Sequence, residues 1–109
     1  MKVKTADLIG PALDWAVAKC EWGNKFANST DLVQVARRQG YSTNWAQGGP
    51  IIERENIDLI SPTPSDPLWQ AMQWRFAHGA KGPTPPIAAM RCFVASKLSD
   101  EVDVPDELV

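Results

Sequence analysis

The sequence predicts a small α+β fold: an α-β-α sandwich whose terminal helices pack on a short antiparallel sheet. Three observations lead there. Apolar residues recur at helical spacing in two long segments, one towards each end of the chain. Between them, "IDLISP" and "WQAMQWRF" read as strands, the second by alternation of apolar and polar residues. Two strands cannot make an independent sheet, so they require a helical layer, a third strand or a second subunit. A homodimer is one way to cover their edges.

The first segment, "ADLIGPALDWAVAKCEW", reads as a helix capped by Thr5, with Ile9, Leu13, Ala16, Val17 and Cys20 on one face. Pro11 suits a first turn but kinks a helix already running from Thr5, and Gly23-Asn24 ends the segment. Trp15 lies opposite the apolar stripe, a candidate for a second buried surface. Residues 24–41 are the least legible. "DLVQVARRQG" is either a short helix capped by Gly40 or a strand burying Leu32 and Val33. Asn44 and Gln47 then have capping-box spacing, while Gly48-Gly49-Pro50 interrupts a helix. One turn, a break, and a short helix from Pro50 to Glu55 follow.

The segment "SPTPSDP" is a loop. In the strand after it, Met72, Trp74 and Phe76 share one face, with Gln73 and Arg75 on the other; Leu68, Met72 and Phe76 would equally fit a helix. "HGAKGP" reads as a turn or mobile loop. A closing helix runs from about Pro85 to Ser99 behind Thr84 as N-cap, and an acidic tail over about 99–109 is extended or frayed. With 109 residues and no long linker, the chain is one domain, 1–109.

Composition excludes several function classes. A charge of −2 and a pI near 5.3 argue against a dedicated nucleic-acid surface. Charged and proline residues break every apolar run near the N-terminus, so neither a signal peptide nor a membrane span is read there, and a cytoplasmic protein is expected. Cys20 and Cys92 stand without a CxxC or Cys/His cluster and are expected to be reduced. His78 is the sole histidine, with no companion ligand, so no metal is expected. No nucleophile elbow, zinc-protease, Walker or dinucleotide motif is present; "GAKGPT" lacks the GK[ST] ending of a phosphate loop. The sequence therefore points away from an enzyme, and no cofactor is expected.

What remains are anion-binding features. Helix starts present unpaired N–H groups to phosphates or carboxylates, and two are hydroxyl-rich: Tyr41-Ser42-Thr43 and Thr84. Each also reads simply as the cap of its own helix. Arg91 falls on the apolar face of the closing helix with Ile87, Met90, Val94 and Leu98. A guanidinium there must meet a carboxylate, backbone carbonyls or a ligand anion. An ion pair with Asp14 is the leading arrangement, Glu53 is the next partner, and an anion grip is the rival. Five tryptophans are too many for a small core, so one or two should line a surface. Trp45, Trp69 and Trp74 suit stacking on a base, and equally core packing or a dimer contact. Arg54 completes the binding candidates, though Glu53-Arg54-Glu55 also reads as a solvated helix end.

Beyond these readings, "LDWAVAK", "YSTNWAQGGPIIERENIDL" and "GPTPPIAAMRCFVASKLSDEVDVP" together resemble the NinX-like family of small accessory proteins of lambdoid phages and prophages. The resemblance runs from Val3 to Leu108, with no fixed pattern over 22–40, and Pro86 stands where the family phrase has Leu. A D-W helix, an ST-x-W phrase and a TP-x-A helix are more distantly similar to phage proteins built as α-β-α sandwiches. The resemblance implies a non-essential phage accessory role in the host cytoplasm and supplies no biochemical activity. Two expectations are therefore carried forward: a binding module for a small anionic or nucleotide-like ligand, such as a host defence signal, or an interaction module for a host or phage protein. An enzyme comes third.

Overall fold

A computed structural model describes residues 1–23, 29–74 and 78–109. The fold is a small α+β, as the sequence predicts, but it holds two antiparallel sheets where the sequence showed two strands. One pairs β1 (Lys2–Lys4) with β5 (Glu101–Asp103), joining Lys4 to Glu101 and Val3 to Val102. The other orders β2 (Asp58–Ile60), β3 (Trp69–Gln73) and β4 (His78–Gly82) side by side. Its register sets Leu59 opposite Ala71, and Ala71 opposite Ala80.

The first helix, α1 (Gly10–Trp22), does not run from Thr5. Thr5–Asp7 form a 3-10 turn, and the Thr5 hydroxyl donates to Ser99 O at 2.6 Å instead of capping a helix. Gly10 adopts φ of 58°, a left-handed conformation that would break a continuous helix there. Ile9 is consequently outside the helix and exposed, not on its buried stripe. Residues 12–18 are buried all round, including Trp15, so α1 has no solvent face over two turns. Both surfaces foreseen for it are covered.

The second helix, α2 (Ser29–Gln39), resolves the ambiguity of "DLVQVARRQG" in favour of a helix, and Gly40 ends it as expected. In α3 (Trp45–Arg54), Asn44 caps by accepting from Ala46 N at 3.0 Å. No break occurs: Pro50 sits inside one continuous helix. Proline disfavours helical backbone in its predecessor partly through that residue's Cβ, and the predecessor here is Gly49, which has none. The foreseen break and restart at Pro50 are thus corrected.

The closing helix α4 (Pro85–Lys97) is the centre of the molecule. One side lies on β3 and β4, and the other meets α1, which in turn packs on α2. Met90, Cys92, Phe93 and Val94 of α4 are at most 1% exposed. "HGAKG" is the edge strand β4, not a mobile loop. A Cβ on Gly82 would stand 2.8 Å from Ala88 N, so strand and helix backbones approach too closely for a side chain. The glycine that reads as a turn signal is there for packing.

The faces of β3 are also the reverse of what alternation suggested. Ala71 and Gln73 are buried under α4, while Trp74 is exposed; Arg75 and Phe76 lie outside the described residues. Gln73 is accommodated by donating to Glu55 O at 3.2 Å and accepting from the Cys92 thiol at 3.7 Å. The acidic tail is extended but not frayed: Val102 and Val104 are buried, and Val104 N donates to Met1 O at 2.8 Å. Both cysteines are free; burial pushes the Cys20 thiol up to about 12 and the Cys92 thiol up to about 11, which makes them poor nucleophiles. Among the described residues no helix is long and apolar enough to cross a membrane.

Candidate functional site

Arg91 does not pair with Asp14. From the second turn of α4 its Nε donates to Leu8 O at 2.8 Å and its Nη1 to Lys81 O at 2.9 Å. Leu8 lies between the 3-10 turn and α1, and Lys81 is the last residue but one of β4. A forked guanidinium can meet two such carbonyls at once. Among the described residues no carboxylate lies within ion-pair distance of Arg91, so neither Asp14 nor Glu53 is its partner. Burial lowers the Arg91 pKa, and the charge of Asp7 partly offsets that.

Asp14 is occupied elsewhere. Its Oδ1 accepts from Ser42 N at 2.7 Å, tying α1 to the turn before α3. Burial raises the Asp14 pKa, opposed by the Ser42 hydroxyl and N–H. A raised carboxyl has a definite sign. Between its ordinary value of 3.8 and the higher folded value, the folded protein keeps a proton that the unfolded chain has lost. Its contribution to stability is therefore full below 3.8 and is lost as pH rises through the folded value. Denaturation midpoints from acid to neutral pH should show that Asp14→Asn removes this component, with a smaller loss of stability on raising the pH than the parent shows. Parallel profiles would contradict it.

Around Arg91 is a cleft of about 300 Å³. Lys4 comes from the end of β1, Thr5 from the 3-10 turn, His78 and Lys81 from β4, Arg91 and Ala95 from α4, Asp100 from before β5 and Glu101 from its start. Three strongly basic side chains thus converge there, with two acidic ones beside them. Lys81 reaches Asp66 at 2.6 Å on the far side. The Nε2 of His78 is buried with no hydrogen-bond partner. A polar nitrogen left unmatched at a cleft wall is costly and is satisfied by whatever donor or acceptor enters. The arrangement is suited to gripping an anion: a guanidinium fixed by two carbonyls, with the Lys4 ammonium and the Asp66-paired Lys81 lining the same cleft.

The other sequence candidates are dispersed. Thr84 accepts from Ile87 N at 3.3 Å and serves as the cap of α4. Tyr41 is buried, its hydroxyl accepting from Trp22 Nε1 at 3.0 Å, and Ser42 is buried behind Asp14. Thr43 lines a separate cleft with Asp14. Arg54 donates through both Nη atoms to Glu21 and through Nε to Glu55 at 3.0 Å, so its charge is already neutralised. Those partners, chiefly Glu21, hold its pKa up, and burial opposes them. Trp69 packs partly buried against the core. Trp45 and Trp74 are 52% and 63% exposed, which fits the expectation that one or two tryptophans reach the surface.

Sequence reasoning missed Lys4, His78 and Lys81 as companions of Arg91. Only the pairing of the two chain ends brings Lys4 there, and only the strand character of "HGAKG" brings the other two. A family model described as "Bacteriophage P22, NinX" matches residues 4–97. No curated protein matches the chain.

Proposed function

We propose, since this chain belongs to the phage NinX family and is a phage accessory protein, that it acts as a binding module holding a small anionic, nucleotide-like ligand in the Arg91 cleft. The observation that carries the reading is Arg91: a partly buried guanidinium held by two carbonyls, with its charge unpaired and Lys4 and Lys81 on the same cleft. Carbonyls orient a cation without neutralising it, so an anion in the cleft supplies what the protein omits. The Thr5 hydroxyl of the cleft is engaged with Ser99 O, which favours the reading of a binder over an enzyme. In a phage accessory protein such a binder would sequester a small host signal in the cytoplasm.

Thermal shift against a panel of phosphates, nucleotides and cyclic dinucleotides tests this, because a ligand present at 100 times its Kd stabilises the fold by about 2.7 kcal/mol. Arg91→Met should stay folded by circular dichroism and lose the shift. A ligand response that survives in Arg91→Met would remove the cleft from the account. The exposure of Trp45 and Trp74 favours a second reading, an interaction module for a host or phage protein. Silence across the panel, with a protein that co-purifies and is released by Trp45→Ala or Trp74→Ala, would select it.

A further inference from the structure

A second cleft, of about 270 Å³, opens between α1 and the C-terminal end of α2 and shares no lining residue with the Arg91 cleft. Pro11, Val33, Ala36 and Leu108 give it aliphatic walls. Its polar groups are three: Asp14, Arg37 and Thr43.

Asp14 is 9% exposed, and among the described residues no cation lies within ion-pair distance of it. Among the described residues only Ser42 faces it with donors: the N–H bonds Oδ1 at 2.7 Å, and the hydroxyl lies near enough to help lower its pKa. The Ser42 hydroxyl, also buried, has no aligned partner. A buried carboxylate that keeps its charge needs more than one donor. Arg37 stands on the same cleft, exposed, in no ion pair among the described residues. Opposite charges that share a cleft and do not touch are complementary to a molecule that spans them.

We propose that this cleft binds a small molecule presenting two parallel N–H donors to Asp14, with an anionic group of the same molecule at Arg37 and Thr43. Parallel N–H pairs match a carboxylate fork, and they occur in a guanidinium group and on the N1–N2 edge of guanine. The aliphatic walls admit the flat face of either, and the volume is that of an amino acid or a nucleoside. Adenine is excluded by the same geometry, since its corresponding ring nitrogen is an acceptor and meets the carboxylate lone pair to lone pair.

Isothermal titration of the full chain with guanosine monophosphate and with free arginine distinguishes the two sources. One of them should saturate at one per chain. Binding should weaken by about tenfold or more in Arg37→Gln, an exposed change with no folding cost, and similarly in Asp14→Asn if circular dichroism shows it folded; a tenfold loss is about 1.4 kcal/mol. If the nucleotide is the source, adenosine monophosphate should bind at least about tenfold less tightly, again about 1.4 kcal/mol. Failure of both probes to bind, full affinity in Arg37→Gln, or equal affinity for the two nucleotides overturns the proposal.

Discussion

Phe93→Ala is expected to destabilise the protein by about 3–5 kcal/mol. The side chain is 1% exposed in the middle of α4, the helix that contacts both the three-stranded sheet and α1. Truncation leaves a cavity at the junction of two layers, where neighbouring elements are held by other contacts and cannot all move in. Two cations also lose a ring: the Arg54 guanidinium carbon lies 5.7 Å from its centroid and Lys97 Nζ lies 6.0 Å away. Those contacts are at the surface and contribute little, about 0.5–1 kcal/mol each. A domain of this size has about 5–15 kcal/mol in total, so the variant sits near the edge of folding. Guanidinium unfolding should show a lower midpoint at unchanged slope. A loss under about 1 kcal/mol, far below the usual cost of emptying an aromatic site, would mean that α4 is not the centre of the core.

Ending the chain at Asp100 is expected to have an effect of similar size. Val102 and Val104 are 4% and 1% exposed, and burying each is worth about 1.5–3 kcal/mol, so their removal costs about 3–6 kcal/mol. The shortened chain also leaves β1 without its only strand partner among the described residues and removes Glu101 from the Arg91 cleft. A frayed acidic tail, the reading that charge and prolines invite, would cost nothing to delete. Urea midpoints of the two lengths decide between them. The shortened chain should also be cleaved faster by protease near its N-terminus, where the exposed Lys2 and Lys4 lose the strand pairing that holds their backbone.

Elements with a periodic signature were legible, and elements made by long-range pairing were not. The closing helix shows its cap, its prolines and its apolar spacing within fifteen letters, and the structure returns all three. Strands β1 and β5 are three residues each, too short for alternation to register, and they exist because their partners lie at the other end of the chain. Strand β4 was hidden by its glycines, whose purpose becomes visible only when α4 is laid on them. On β3, alternation sets Gln73 on the face opposite Met72 and Trp74, and a polar amide gives no sign of burial; a backbone carbonyl at Glu55 and a thiol at Cys92 make that burial tolerable.

The site divides along the same line. That Arg91 required a partner followed from its place on an apolar stripe. Which partner did not, because the acceptors chosen are main-chain oxygens of Leu8 and Lys81, and a carbonyl is identical under every letter of a sequence. Asp14, the acid that the sequence offers as partner, is engaged with the backbone N–H of Ser42.

The pairing of Lys4 with Glu101 also sets an order of events during synthesis. Helices α1 to α3 contain their own local contacts and can form while the chain is still emerging from the ribosome. The small sheet β1–β5 cannot, since its halves are separated by almost everything else, and closing so long a loop is slow. Both residues line the Arg91 cleft, so the cleft is assembled last. If the cleft is the anion site proposed above, a nascent chain is unable to hold an anion there until translation has passed β5, and binding would report that the whole of that ring has closed.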